Sequence, residues 1–291
     1  MAAKRAARER TASRVRKSVR AEVGKALAVI ERRRSVSDES LHDARKALKR
    51  ARAGLRLLRD ALGHGEYAAR NAALRDAARP LARVRDAKIL LETVDGLLDG
   101  EARPRRRAAL LQLRHDVSHE RVVLRRDLFG DSDLLAHVAR SLRASRPPAA
   151  QAVASRTEAD AARSGLERIY RRGRKALAAA ASDPSDQKLH ETRKQAKYLA
   201  EALDLLGLGT SHRERKLLKR ARAIAERLGD DHDLALLEGR FEALPPDAYD
   251  AQVKLAARIE HLRAKLQRKA LKRARRLYER KPATFARRLY P

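Results

Sequence analysis

One helical motif occurs twice in the sequence, about half the chain apart. Residues 41–49 read Leu-His-Asp-Ala-Arg-Lys-Ala-Leu-Lys, and residues 189–197 read Leu-His-Glu-Thr-Arg-Lys-Gln-Ala-Lys. Both copies contain His-x-x-Arg-Lys-x-x-Lys, at an offset of 148 residues, in a chain that has only nine histidines. Downstream, Leu81, Asp86, Ile89 and Leu90 align with Leu228, Asp233, Leu236 and Leu237 at an offset of 147 residues. The offset predicts a duplication of half the chain, and therefore two similar halves rather than a short-period solenoid.

The composition restricts these halves to helices. Alanine, leucine and arginine dominate, and all three are good helix formers. Aromatic residues make up only 3% of the chain and tryptophan is absent, so few of the side chains that favour sheets remain. With 43% hydrophobic residues, the 291-residue chain can bury a core. The sequence therefore predicts an ordered, all-α protein.

Glycine, proline and serine residues divide the chain into two series of predicted helices. The first series covers 10–33, 38–62, 66–98 with a bend near Pro80, 104–128 and 132–144. The second covers 152–181, 184–206, 211–242 with a break near Gly229, and 247–280. These series predict an N-terminal bundle at about 10–144, a linker at about 145–151 marked by Ser-Arg-Pro-Pro, and a C-terminal bundle at about 152–285. We expect the two bundles to pack about a pseudo-two-fold axis.

Several residues are predicted to begin or end these helices. Asp38 and Asp183 stand where N-caps belong, and Pro184 suits a first helical position. Gly63 and Gly207 each follow the second helix of a series and are predicted C-terminal stops. The acidic segment 230–233, beside the predicted break, is expected to cap the helix that follows it.

The first motif helix presents a continuous cationic stripe. At 100° per residue, five cationic side chains lie within an arc of about 80° and over a length of about 21 Å. They are His42, Arg45, Lys49, Arg52 and Arg56. The apolar residues centre on the opposite side, so one face is buried and the other is basic. Like charges spaced in this way repel one another, which suggests an anionic ligand that relieves the repulsion.

A solvated basic face is the alternative interpretation, and the duplication argues against it. Solvation requires charge, but it does not require the same residue types at the same phase in both halves. In the second copy Ala200 and Asp204 replace Arg52 and Arg56, whereas the histidine, arginine and lysines are retained. The candidate binding residues are therefore His42, Arg45, Lys46, Lys49, Arg52, Arg56, His190, Arg193, Lys194 and Lys197.

Other basic residues lie near the motifs along the chain. Arg171 and Arg172 precede the second motif, and Lys216 and Lys219 follow it. For each of these four, ligand contact and a solvated surface position are both open. Asp86 and Asp233 are expected to orient an arginine rather than to contact an anion themselves.

The charge indicates what such a site binds. Lysine and arginine number 69 against 38 aspartate and glutamate, which gives a net charge of +31 and a pI near 11.3. This charge attracts polyanions, of which nucleic acid, an anionic membrane surface and inorganic polyphosphate are the candidates. Arginine offers a planar fork to phosphate oxygens, and lysine offers a compact charge. No apolar run is long enough for membrane insertion, and no hydrophobic signal segment follows the basic start, so we expect a cytoplasmic protein.

These motifs resemble the CHAD family, the conserved histidine α-helical domain. The resemblance rests on residues 41–46 and 189–194, on the pair Lys197-Tyr198, and on the aspartates of segments 84–86 and 228–233. It covers about 10–285 as a single domain. It implies two four-helix bundles with internal two-fold pseudosymmetry around a basic central cavity. It also implies binding of inorganic polyphosphate and, in some members, association with polyphosphate granules.

The sequence offers little for catalysis, and we expect neither enzyme activity nor a cofactor. The chain has no cysteine, so it has no thiolate nucleophile or cysteine-ligated metal. His115 and His119 share one helix face, but no third metal ligand is evident. No glycine-rich phosphate loop is present. A basic helical protein that binds nucleic acid is the alternative to polyphosphate binding, and a convex rather than concave stripe would favour it.

Overall fold

A computed structural model describes residues 2–32, 36–147, 156–241 and 249–290, and in these ranges the chain forms helices and no strands. The helices of the first half are α1 (Ala2–Glu31), α2 (Asp38–Leu57), α3 (Arg59–Leu62), α4 (His64–Leu98), α5 (Pro104–Gly130) and α6 (Ser132–Ser145). Those of the second half are α7 (Arg156–Ser182), α8 (Asp186–Leu205), α9 (His212–Glu238), α10 (Tyr249–Leu277) and α11 (Pro282–Leu289). The all-α prediction is confirmed. No helix in the described ranges combines the length and apolar character needed to cross a membrane.

Serine hydroxyls, rather than the predicted aspartates, cap both motif helices. The Ser37 hydroxyl accepts a hydrogen bond from the Ser40 backbone N–H at 3.1 Å, and Asp38 is the first residue of α2. The Ser185 hydroxyl accepts from the Lys188 N–H at 3.4 Å at the start of α8. The predictions of Asp38 and Asp183 as caps, and of Pro184 as a first helical residue, were therefore wrong. In each case a hydroxyl directly before the helix reaches the free N–H groups.

The predicted break near Gly229 is also absent, because α9 continues through it to Glu238. The acidic segment 230–233 therefore lies inside this helix and does not cap another one. Helix α4 likewise runs through Pro80. The predicted helix at 38–62 instead divides at Leu58 into α2 and α3. Gly63 and Gly207 adopt φ angles of 78° and 71°, as expected for residues that end helices.

The buried side chains form three clusters. The first contains residues of the N-terminal half, such as Ile30, Leu48 and Leu81. The second lies mainly in the C-terminal half but includes Val15 and Leu57 from the N-terminal half. The third joins the ends of α4 and α5 to the ends of α9 and α10. The two halves therefore share buried apolar surface at two places. The linker lies largely outside the described residues, and the pseudo-two-fold axis stays a prediction.

Gly165 allows α7 of the second half to cross α2 of the first half at close range. A β-carbon at this position would lie 2.5 Å from the carbonyl oxygen of Leu57 and 2.6 Å from its Cα. These are backbone atoms, so a larger side chain would have to push the two helices apart. The contact fixes the end of α2, and α2 bears the first copy of the motif.

We expect Gly165→Ala to destabilise the protein by about 1–3 kcal/mol, because it overpacks this helix crossing. Gly96 is the matched control, since it lies inside α4 with no atom within 4 Å of the position its β-carbon would take. Gly96→Ala should be neutral or stabilise the protein by up to about 1 kcal/mol through helix propensity. Urea unfolding measures both changes. Equal stabilities of the two variants would show that the crossing tolerates a methyl group.

Candidate functional site

A cavity of about 550 Å³ lies between α2 and α4 of the first half and α8 and α9 of the second. Its charged and imidazole side chains are His42, Arg45, Lys46, Lys49, Arg52, Arg85, Asp86, His190, Arg193, Lys194, Lys197, Glu201, His232 and Asp233. Eight lysines and arginines face three carboxylates, a formal excess of five positive charges before any histidine is protonated. The wall is completed by Ile89, Leu90, Tyr198 and Leu236.

The cavity brings together most of the predicted residues. Nine of the fourteen line it, with contributions from both copies of the motif: His42, Arg45, Lys46, Lys49, Arg52, His190, Arg193, Lys194 and Lys197. The two motif helices thus present their basic faces to one shared concave space, because their apolar faces pack into the clusters behind them.

Five predicted residues lie elsewhere. Arg56 is near the C-terminal end of α2, where its guanidinium lies 3.8 Å from the centre of the Tyr198 ring. Arg171 is exposed and paired with Glu167, and Arg172 is also exposed. Lys219 is exposed, and Lys216 lines a separate small cavity between α9, α10 and α11.

The arginines of the two motif copies each reach the next long helix. Arg45 donates a hydrogen bond to the Leu81 carbonyl oxygen at 3.0 Å and one to Asp86 at 3.2 Å. In the other half, the Arg193 guanidinium lies against Gly229, where a β-carbon would be 3.1 Å from Nη2. Glycine at this point lets the arginine lie close to α9. The Nε of Arg193 is buried, and no hydrogen-bond partner for it is present among the described residues.

The two aspartates of the downstream repeat take different roles. Asp86 forms the ion pair with Arg45, as the sequence predicts. Asp233 lines the cavity without a close ion pair among the described residues. Burial raises its pKa, and the positive charge of Arg193 opposes that rise. Neither carboxylate is therefore sufficient to neutralise the basic wall around it.

Burial and mutual repulsion lower the pKa values of the central lysines. Burial is the largest cause for both: it and the nearby cations bring the pKa of Lys49 to about 8 and that of Lys197 to about 7. For Lys49 the next cause is Arg45, and for Lys197 it is Lys49 itself. The lysines of the two halves therefore repel each other across the cavity. An anion between them would relieve this repulsion.

The three cavity histidines are shifted in the same direction. Burial lowers the pKa of each of them, and a second cause adds to it: Arg85 for His42, His232 for His190, and Arg193 for His232. The rings of His190 and His232 are 4.8 Å apart between centroids. A neutral imidazole keeps one N–H donor for an anion, and it gains a second donor if the anion raises its pKa.

Sequence reasoning missed several lining residues. Arg85 and His232 line the cavity, as do Ile89 and Leu236. Each of these pairs is related by the same offset of 147 residues that relates Asp86 to Asp233. The downstream repeat therefore contained the signal, and it could have been interpreted as the second wall of the site. Glu201 has no counterpart of this kind.

A metal centre finds no support in the described residues. They contain no group of three or more histidine, cysteine, aspartate or glutamate side chains placed to hold a metal ion. His115 and His119, the pair noted in the sequence, are both exposed on α5.

Comparisons with known proteins identify the fold and the family. The structure is similar to that of PptA from Streptomyces chartreusis, with a TM-score of 0.63 and 16% sequence identity over 91% of this chain and 99% of that one. It is also similar to the CHAD domain from the plant Ricinus communis, with a TM-score of 0.58 and 20% identity over 91% of each chain. No curated protein matches the sequence. A family model described as the CHAD domain matches residues 17–242. With that match spanning most of the sequence, the chain belongs to the CHAD family.

Proposed function

We propose that this protein binds inorganic polyphosphate in the cavity between α2, α4, α8 and α9. Polyphosphate binding is the known role of the CHAD family. The observation that supports the proposal most directly is the pair of lysines with lowered pKa values, one from each motif copy, in a cavity with few carboxylates. A folded protein accepts this arrangement at a cost in stability, and a bound polyanion offsets that cost.

The side chains around the cavity suit a chain of phosphates. Lys49 and Lys197 supply ammonium groups to the cavity, and Arg193 supplies a guanidinium. Successive phosphate units would contact alternate halves of the site. Many such contacts release counterions, so the affinity should fall steeply as salt is added.

Nucleic acid is the second candidate, and the shape of the cavity argues against it. The basic faces of the two motif helices line one concave cavity of about 550 Å³. A thin, flexible polymer can enter such a space, whereas a duplex would contact only the rim. No aromatic platform for unpaired bases accompanies the cations, since Tyr198 is the one aromatic residue of the lining.

The proposal is for binding without turnover. The carboxylates of the cavity are dispersed among cations, and Asp86 is held in an ion pair with Arg45. They offer no paired carboxylates to hold the metal ions that phosphoryl transfer uses. Association with polyphosphate granules in the cytoplasm would follow from binding and needs no further activity.

The double variant Arg45→Gln and Arg193→Gln should weaken polyphosphate binding about ten-fold or more. Each charge-assisted hydrogen bond contributes about 1.5–3 kcal/mol, and about 1.4 kcal/mol corresponds to one decade of affinity. The measurement is the dissociation constant for a polyphosphate of one defined length, with helicity checked by circular dichroism. Because Arg45 also bonds to Leu81 and Asp86, Lys49→Gln with Lys197→Gln is a second test that removes no described hydrogen bond.

The control removes two charges away from the cavity. Arg105 and Arg140 are exposed, lie on α5 and α6, and have no carboxylate within 4.0 Å in the described part of the chain. The adjacent Arg106 would not serve as a control, because it is buried and forms an ion pair with Glu101 at 3.1 Å. Equal losses of affinity in the cavity and control variants would mean that net charge alone explains binding, and that the cavity is not the site.

Competition at fixed ionic strength distinguishes the two candidate ligands. Long-chain polyphosphate should displace double-stranded DNA at a lower concentration of phosphate groups, because the cavity admits only the thinner polymer. A labelled DNA duplex reports the displacement by fluorescence polarisation at several salt concentrations. Equal potency per phosphate across the series would identify a general polycation.

Polyphosphate affinity should also fall as the pH rises from about 7 to about 9, because binding favours the protonated lysines. In the empty cavity Lys197 loses its proton near pH 7 and Lys49 near pH 8, so above these values binding must take up protons. Lys49→Gln with Lys197→Gln should flatten this dependence, whereas the Arg105 and Arg140 control should retain it. The dissociation constant is measured at constant ionic strength with long chains, whose end groups contribute little. If the affinity of the Lys49 and Lys197 variant falls with pH as steeply as that of the wild-type protein, these two lysines are not the groups that take up protons on binding.

A further inference from the structure

A second basic surface lies on the outside of the C-terminal half. Two cavities, of about 420 Å³ and 90 Å³, adjoin along α9 and α10, and Arg220 and Arg276 line both of them. We call them together the outer groove. The larger cavity is lined by Arg220, Arg227, Lys269, Lys272, Arg273 and Arg276. The smaller one adds the cations Arg213, Lys216, Arg280 and Arg288.

The cations of the outer groove are almost entirely without acidic partners. Of the ten, only Arg280 lies within 4.0 Å of a carboxylate in the part of the chain that the structure describes, and that carboxylate belongs to the adjacent Glu279. Arg263, which also lies on α10, instead forms ion pairs with three carboxylates, those of Asp186, Asp231 and Glu238. Acidic residues are thus available on these helices, but Glu279, just beyond α10, is the one carboxylate among the lining residues of the groove.

The outer groove and the central cavity occupy opposite faces of α9. At 100° per residue, Arg213, Lys216, Arg220 and Arg227 share an arc of about 60° and extend for about 21 Å. The cavity residues of the same helix, His232, Asp233 and Leu236, centre about 180° from that arc. A ligand in one site therefore does not occupy the other.

The groove did not arise from the internal duplication. At the offset of 147 residues, its four α9 cations correspond to Glu66, Ala69, Ala73 and Pro80 in the first half. Cavity residues therefore recur in both halves of the sequence, whereas the α9 cations of the groove occur in the second half only. Four cations with no carboxylate within 4.0 Å in the described part of the chain lie along one face of α9, and four more lie on α10, so together they form a basic strip between the two helices.

We propose that the outer groove is a second binding site for polyphosphate, so that one protein molecule holds two segments of the polymer. The identity of the ligand rests on the proposed function, and the groove supplies the same lysine and arginine chemistry in a linear form. With two sites on opposite faces of one helix, each molecule cross-links neighbouring chains, and a long polymer gathers many molecules.

The experiment compares two triple variants that lose the same charge. Lys272→Gln, Arg273→Gln and Arg276→Gln remove exposed groove cations that make no described hydrogen bond or ion pair, and glutamine preserves helix propensity. The control triple, Arg105→Gln, Arg140→Gln and Lys254→Gln, removes three exposed charges elsewhere. Calorimetric titration with a short polyphosphate counts the sites, and light scattering with a long polyphosphate reports cross-linking.

The wild-type protein and the control triple should bind two short chains and scatter strongly with long ones. The groove triple should bind one short chain and lose the scattering. If the groove triple matches the control in both measurements, the inference is overturned. The Lys49 and Lys197 variant separates it from the proposed function. If that variant keeps both sites, the cavity proposal fails, whereas the groove inference is decided by the triple variants alone.

Discussion

Repulsion between the cations that line the cavity is the constraint around which this structure is arranged. Lys49 and Lys197 come from different halves and face the same cavity, and the charge of Lys49 lowers the pKa of Lys197. In an environment of reduced dielectric constant, such like charges oppose the packing of α2 against α8. The apolar faces of the same helices supply the compensating energy, because Leu48 and Leu199 are buried behind the cations. The protein therefore maintains a cavity whose lining carries more positive than negative charge.

The long helices α4 and α9 hold this arrangement in place without neutralising it. Asp86 orients Arg45, whereas Asp233 remains in the cavity wall without a close partner in the described structure. Beyond the cavity, the ends of both helices pack with α5 and α10 into a shared apolar cluster that includes Val94 and Leu237. This packing fixes the distance between the two walls, so the cations do not escape repulsion by moving apart.

The sequence was informative about the faces of helices and less informative about where those faces meet. The phase of His42, Arg45 and Lys49 on one helix follows from their spacing, and the cavity contains all three. Arg56 shares that phase, but it lies near the end of α2 and stacks over Tyr198 from α8 instead. Tertiary packing determines which helix lies opposite a given turn, and the spacing of residues within one helix does not predict it. The break wrongly predicted at Gly229 has the same origin, since that glycine lies against the guanidinium of Arg193 inside α9 and not at a helix end.

The differences between the two motif copies have a structural consequence of their own. Where the first half has Arg52 and Arg56, the second has Ala200 and Asp204. Asp204 pairs with Arg50 of the first half, and Glu201 lies 3.6 Å from the same guanidinium. Two identical stripes would have placed further like charges along this contact between α2 and α8. In the second copy, Asp204 stands at the position of Arg56 and joins the halves through Arg50. The cations that occur in both copies line the cavity beside this interface.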